Sequence, residues 1–303
     1  MTRRPSISRL LLIALLCAAT IPAAETVQHP FRGITYIERS ESTPREVRMH
    51  IVLIDLTAPG ISFHVTPPGG PLETVRHSTL EYLKQEHAQV AINAHYFLPW
   101  PSSQPDADLV GFAASNGTIY SAFEIPEQSY ALAPYVPAIN IDPENHVTLV
   151  HRDPAYTDGK HVLENVKIWN AVAGSARIVT DGGKTIPQYG PGGVLTAGGP
   201  SGGFSADKSW YAQTNARSAI GLTKDGKTLV LFTVDVRGGS AGMQVGEVAD
   251  TLIRDYDVYQ ALNLDGGGST TLALDGRIVN VSSDNPDGRR VGSNLAVFAQ
   301  PQQ

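Results

Sequence analysis

The apolar residues of this chain come in short, strand-length runs, and that punctuation constrains the fold more than any other feature. Stretches 47–56, 61–65, 109–114, 118–123, 218–223, 228–234, 260–264, 270–274, 277–279 and 294–299 read as strands. Turn signals bound them, among them Pro59-Gly60, Asn116-Gly117, Lys224-Asp225-Gly226 and Asp275-Gly276. A further buried strand spans 90–92 and ends at Asn93. Two segments carry helical spacing. In 72–86, Leu72, Val75, Leu80 and Leu83 lie toward one side; in 245–256, Val245, Val248, Ala249, Leu252, Ile253 and Tyr256 form one apolar face. Gly (29) and Pro (21) are abundant while only 17% of residues are charged, which favours strands and tight turns over a helical bundle. The passage from strand 228–234 through the helix to strand 260–264 suggests parallel neighbours. The expected fold is therefore α+β, with a mixed, mainly antiparallel sheet and a few packed helices.

The N-terminus reads as an export signal. Arg3 and Arg4 precede a short apolar run at 10–16, and Ala18, Ala19, Ala23 and Ala24 suit a signal peptidase. The run is too short to span a bilayer, so residues 1–24 are expected to be removed near Ala23 or Ala24, leaving an exported protein with no membrane span. Cys17 is the only cysteine, so the chain after that cut forms no disulfide and rests on its core. Residues 25–87 read as an N-terminal layer or small subdomain, and 88–300 as the main domain. A net charge of −6 offers no basic footprint for nucleic acid. The proline-rich stretch 95–108 reads as a surface loop, 126–165 as an insertion or lid-like excursion, and 190–203, with seven glycines, as a loop of undetermined role.

The strongest chemical signal is Asn263-Leu264-Asp265-Gly266-Gly267-Gly268-Ser269-Thr270-Thr271. Three adjacent glycines carry an entropic cost that an ordinary hairpin avoids. Without Cβ atoms, main-chain N–H groups can approach an anion closely. Asp265, at a strand end, would face such a ligand as acid, base or metal ligand, with Ser269 and Thr270 adding hydroxyls. The same residues also fit a plain glycine-rich hairpin whose Asp caps the turn. Arg217, Arg237 and Arg289 could fork onto phosphate oxygens, although each is also compatible with solvated surface charge. Asp235 ends another apolar run; Asn93 ends a buried strand; and His95 could protonate a leaving oxygen or be a hydrogen-bonded structural histidine. No HExxH, paired CxxC, EF-hand or P-loop pattern is present. Gly-Gly-Pro-Ser-Gly-Gly at 198–203 fails as a serine nucleophile elbow because Pro200 precedes Ser201.

Taken in order, these motifs resemble the phosphodiester glycosidase family. The resemblance rests on Asn93-Ala94-His95-Tyr96-Phe97, Arg217-Ser218-Ala219-Ile220-Gly221, Val234-Asp235-Val236-Arg237, Asp265-Gly266-Gly267-Gly268-Ser269 and Arg289 before Leu295-Ala296-Val297-Phe298. It covers roughly 88–300. The family usually has Asn-Gly-Gly-Phe-Phe at the first segment and Asp-Gly-Arg at the third, so three glycine positions differ here, at Ala94, His95 and Val236. The resemblance implies an exported hydrolase that cleaves a sugar-1-phosphate diester to free sugar and phosphomonoester. Asp265 or Asp235 would then serve as acid/base or electrostatic partner. Asn93 and His95 would position substrate, and Arg217, Arg289 and the N–H groups of Gly266, Gly267 and Gly268 would hold phosphate. Two other readings stay open: a non-catalytic envelope module binding glycan or polyanion, and a phosphodiesterase in which Asp265 and Asp235 share a divalent cation. No cofactor is otherwise expected, and oligomeric state is not legible.

Overall fold

The computed structural model describes residues 24–124, 133–187, 210–283 and 285–302. Residues 1–23 of the stretch read as an export signal, residues 190–203 expected as a glycine-rich loop, and residues 126–132 of the expected excursion lie outside these residues.

An eight-stranded sheet forms the centre of the molecule. Its order is Ala24–Phe31, Ile34–Glu41, Val47–Asp55, Thr228–Val234, Arg217–Thr223, Val258–Asn263, Ala176–Thr180 and Gly183–Lys184. Strands from the N-terminal 24–55 thus join the same sheet as strands from the last third of the chain. A five-stranded sheet runs Arg277–Ile278, Leu272–Leu274, Val90–Asn93, Asn294–Phe298 and Ser62–Val65. A second five-stranded sheet holds Thr118–Ser121, Ala113–Ser115, Asn170–Ala173, Ala138–Ile141 and Val147–Val150.

The packing explains the sequence pattern. In Thr228–Val234, Leu229 and Leu231 face a core shared with both five-stranded sheets, where Ile92, Leu272, Leu295, Ile139 and Val172 meet them. Val230, Phe232 and Val234 point the other way, onto helix α2 (Val245–Tyr256), through Val245, Val248, Ala249 and Leu252. A strand buried on both faces loses polar alternation and reads as one apolar run. Helix α2 matches the expected face and ends at Asp257, whose φ of 51° breaks the helix.

Three expectations are corrected. Every pairing between named strands is antiparallel among the described residues, so the sheet is not mixed and the protein is richer in strand than expected. The strand–helix–strand passage does exist, but Arg217–Thr223 slots between its two strands and pairs antiparallel with each. The helix expected over 72–86 is shorter: α1 spans Thr79–Glu86, beginning at a capping box in which Ser78 and Glu81 satisfy each other's backbone N–H groups. Upstream, Thr74–Val75 and His77–Ser78 are short strands instead. The loop expected over 95–108 contains Phe97–Leu98 and the start of Asp106–Leu109, which pair, and Phe97 is buried.

Candidate active site

The glycine turn is the crossing point between two sheets. Val258–Asn263 ends in the eight-stranded sheet, and Leu272–Leu274 begins in the five-stranded one. Each glycine has its own reason. A Cβ on Gly266 would come within 3.0 Å of the Ala216 carbonyl oxygen and 3.3 Å of the Trp210 ring. Gly267 has φ of +61°, strained for any side chain. A Cβ on Gly268 would collide with Nη2 of Arg289. One of the three amides is already committed, Gly267 N–H donating to Ala216 O at 2.9 Å, and the Gly266 N–H favours the charged form of the neighbouring Asp265 carboxylate. The turn therefore serves less as an anion nest than as a surface on which Asp265, Trp210 and Arg289 approach the backbone closely.

Above the turn lies a cavity of about 310 Å³. Asp265, Gly266, Gly267, Gly268, Ser269, Asn215 and Arg289 form its polar side, facing an apolar wall of Tyr96, Phe97, Leu98, Trp100, Val110 and Trp210. Both tryptophans stack on arginines: the Arg289 guanidinium lies 4.3 Å from the Trp100 ring centre, and that of Arg217 lies 4.4 Å from Trp210. Arg289 Nη1 also donates to Ser269 Oγ at 3.2 Å.

Asp265 is the carboxylate of this cavity. Burial pushes its carboxyl up from 3.8 to about 7, against opposing bonds from Ser269 and Gly266 N–H and the attraction of Arg289. Burial likewise lowers Arg289, with Asp265 working in the opposite direction. For Asp265, desolvation outweighs the attraction of Arg289, and its carboxyl is poised to exchange a proton close to pH 7. Tyr96 belongs to the same environment. Its hydroxyl is pushed above its ordinary range by burial and by Asp265, and it lies near Ser175 and the Trp210 indole without a well-formed bond to either.

Other sequence candidates stand behind this surface. Asn93 is fully buried and clamps the two sheets together. Its Nδ2 donates to the Asp265 carbonyl at 2.6 Å, while its Oδ1 accepts from Ser218 Oγ (2.7 Å) and Thr271 N–H (3.0 Å). His95 is equally buried. Ala173 N–H donates to its Nε2 at 2.9 Å, which leaves the proton on Nδ1, facing Ser293 Oγ at 2.7 Å. That assignment makes the 3.2 Å approach of Nε2 to Phe112 O a contact, not a donated bond. Burial lowers His95 to about 4, so it stays neutral above that pH. Arg217 is the largest fully buried side chain among the described residues. Its Nε donates to Met243 O at 3.0 Å and its Nη2 to the Trp210 carbonyl at 2.6 Å and to Gln213 O. It holds the 210–217 segment, and with it the Trp210 wall. Thr270 is buried with an unpartnered hydroxyl.

Asp235 is not brought to the cavity. Its Oδ1 accepts from Val281 N–H at 2.6 Å and its Oδ2 meets His50 Nε2 at 3.1 Å, the other ring nitrogen of which bonds Tyr36 Oη at 2.8 Å. With both oxygens engaged, it is not arranged to share a cation with Asp265. No cluster of three His, Cys, Asp or Glu side chains suited to a metal occurs among the described residues. Arg237 lines a second, adjoining cleft with Val236, Arg289 and Arg290.

The sequence reading missed Trp100, Trp210, Asn215, Leu98 and Val110. Trp100, flanked by Pro99 and Pro101 inside an otherwise polar stretch, was the available signal.

Residues 86–298 match the sequence model of the phosphodiester glycosidases. Over 71 residues the chain is 41% identical to N-acetylglucosamine-1-phosphodiester alpha-N-acetylglucosaminidase of Mus musculus and 42% identical to that of Homo sapiens. These stretches make up 23% of this chain and only 13% of each relative. The fold is similar to the zebrafish catalytic domain of that enzyme, auto-inhibited by its pro-peptide (TM-score 0.57, 19% identity, 94% of this chain and 85% of that one). It is also similar to a hypothetical protein from Synechocystis (TM-score 0.61, 18% identity, 88% and 62%).

Proposed function

Since the chain belongs to the phosphodiester glycosidase family, we propose that it hydrolyses a sugar-1-phosphate diester at the glycosidic C–O bond, using Asp265 as general base. The observation that carries this reading is the meeting of Asp265 and Arg289 on one aromatic-walled cavity at the glycine turn. A wall containing Trp100, Phe97 and Trp210 suits the apolar face of a sugar ring. Arg289 suits the phosphate, whose charge grows as the bond to the sugar breaks. The phosphomonoester is already a stable leaving anion, so the difficult part is activating water. A carboxylate that titrates near pH 7 is matched to that task. Asp265 takes a proton from water as its oxygen joins C1, the C1–O bond breaks, and the bridging oxygen departs with the phosphate.

Asn93, His95 and Arg217 are positioning residues in this scheme. Export is proposed from the N-terminal pattern Arg3-Arg4, apolar 10–16 and small residues to Ala24. No helix among the described residues is long and apolar enough to cross a membrane.

The test is release of free sugar from glycosyl-1-phosphate alkyl diesters covering several sugars. The wild-type protein should release sugar, with kcat/KM rising through about pH 7, and Asp265→Ala should lose about 10³-fold while remaining folded. Undiminished turnover in that variant removes Asp265 from the mechanism.

A further inference from the structure

Asn215 stands at the passage between the aromatic cavity and the adjoining cleft: it, Gly268 and Arg289 line both spaces. The fold fixes it there firmly. Its backbone N–H donates to Met243 O at 3.1 Å, and its carbonyl accepts from Met243 N–H at 3.0 Å. Arg217 Nε donates to the same Met243 carbonyl at 3.0 Å, so the buried arginine braces this bridge. Gly242, with a φ of +74°, packs against it, and a Cβ there would come within 2.5 Å of the Asn215 carbonyl oxygen. The side chain is held as well. Its Oδ1 accepts from Ala216 N–H at 2.8 Å, which settles which way round the amide lies. The two N–H donors of Nδ2 meet no acceptor among the described residues.

Building on the proposed glycosidase reading, we infer that Asn215 is a second phosphate-binding residue: its Nδ2 donates to one non-bridging oxygen of the diester while Arg289 grips the phosphate from the other side. The placement follows from the glycine turn. A Cβ on Gly268 would collide with the Arg289 guanidinium, and one on Gly267 would lie 3.9 Å from Asn215 Oδ1, so the two side chains flank successive residues of one turn. With the sugar in the aromatic cavity, its 1-phosphate reaches the passage that they bound. Arg289 already spends one N–H on Ser269 Oγ and lays its face on Trp100, and it cannot surround the phosphate alone. A neutral partner suits the place. A further cation beside Asp265 would lower that carboxyl and weaken it as a base, whereas an amide adds hydrogen bonds without charge. The phosphate gains charge as the C1–O bond breaks, so a rigidly held donor tightens its bond in the transition state and acts mainly on kcat.

The experiment pairs turnover with binding. For turnover, a glycosyl propyl phosphodiester is compared with the Rp and Sp diastereomers of its phosphorothioate, in which sulfur replaces one or the other non-bridging oxygen. The proteins are wild type, Asn215→Ala, Asn215→Asp and Arg289→Gln. Asn215→Asp keeps an oxygen for Ala216 N–H and exchanges the two donors for negative charge, so its melting temperature should hold within a few degrees. Asn215→Ala should lower kcat/KM about 100-fold, mostly through kcat, and Asn215→Asp at least as much. Sulfur is a poor acceptor, so wild type should turn over the diastereomer whose sulfur faces Asn215 about tenfold more slowly than the oxygen diester. That penalty should vanish in Asn215→Ala and persist in Arg289→Gln, a pattern that loss of structure alone does not produce. For binding, calorimetry with propyl phosphate needs no catalysis, and Asn215→Asp should weaken it by about tenfold or more. A thio penalty unchanged in Asn215→Ala overturns the inference, as does propyl phosphate bound equally, or not at all, by wild type and Asn215→Asp. Weakened binding in Asn215→Asp with no diester hydrolysed by wild type keeps Asn215 as an anion donor and refutes the glycosidase reading; hydrolysis with the Asn215 variants fully active does the reverse.

Discussion

Asp265→Asn separates the burial of Asp265 from its chemistry. The folded protein raises this carboxyl from 3.8 to about 7, so the native state holds the proton more tightly than the unfolded chain does. Stability from that preference is fully present below pH 3.8 and is lost as pH rises toward and through 7. The interval between the two values, at 1.36 kcal/mol per pH unit, corresponds to about 4 kcal/mol lost by pH 8. Asparagine imitates the neutral acid and cannot titrate, so the variant escapes this loss. All other ionisable groups are common to both proteins, and their contributions cancel in the difference. Replacing the acid by an amide adds a constant of either sign. The variant's stability relative to wild type should therefore climb by about 4 kcal/mol between pH 4 and pH 8, with most of the change between pH 4.5 and 7. Urea unfolding of both proteins, followed by tryptophan fluorescence at half-unit pH steps, measures the difference directly. A difference that stays within about 1 kcal/mol over the range would show that Asp265 is not held in a desolvating environment, and the assignment of a base poised near neutrality would fall.

Arg289→Gln should lower kcat/KM by about 100-fold, and Arg289→Lys should recover little of it, because a lysine can neither fork onto phosphate nor stack on Trp100 in the same way; steady-state kinetics of both variants decides. Gly268→Ala should displace Arg289 at little cost in stability, since the atom in the way is the end of a flexible side chain; activity should fall at least tenfold while the melting temperature holds within a few degrees. Asn93→Ala should cost about 3 kcal/mol of stability in urea unfolding, because it strips bonds from the Asp265 carbonyl, Ser218 and the Thr271 N–H in a dry interior.

What was legible in the sequence was periodic. Thr228–Val234 and helix α2 announce themselves because burial on both faces, or along one stripe, leaves an unbroken record in residue type. Strand order leaves no such record: nothing in 217–223 says that it will insert between the two strands of the crossover. The early helix was overextended because Leu72 and Val75 keep helical spacing with Leu80 and Leu83 by coincidence, whereas the Ser78–Glu81 capping box marks the true start. The candidate site divides in the same way. Asp265 and Arg289 were readable because a triple-glycine turn has few structural uses. Asp235 ends a strand at the same edge of the sheet, but its orientation is settled by His50 and by the Val281 N–H, partners that are remote in sequence. The aromatic wall was hidden because Phe97, Leu98 and Trp100 sit in a proline-rich stretch whose polarity suggests solvent, whereas pairing of Phe97–Leu98 with Asp106–Leu109 holds it against the cavity.

The central claim concerns which bond is cut, and isotope labelling reads it without ambiguity. Hydrolysis of a glycosyl-1-phosphate diester in water enriched in oxygen-18 should place the label on C1 of the released sugar and leave the phosphomonoester unlabelled by mass spectrometry. Label in the phosphate would mean attack at phosphorus, and the protein would then be a phosphodiesterase.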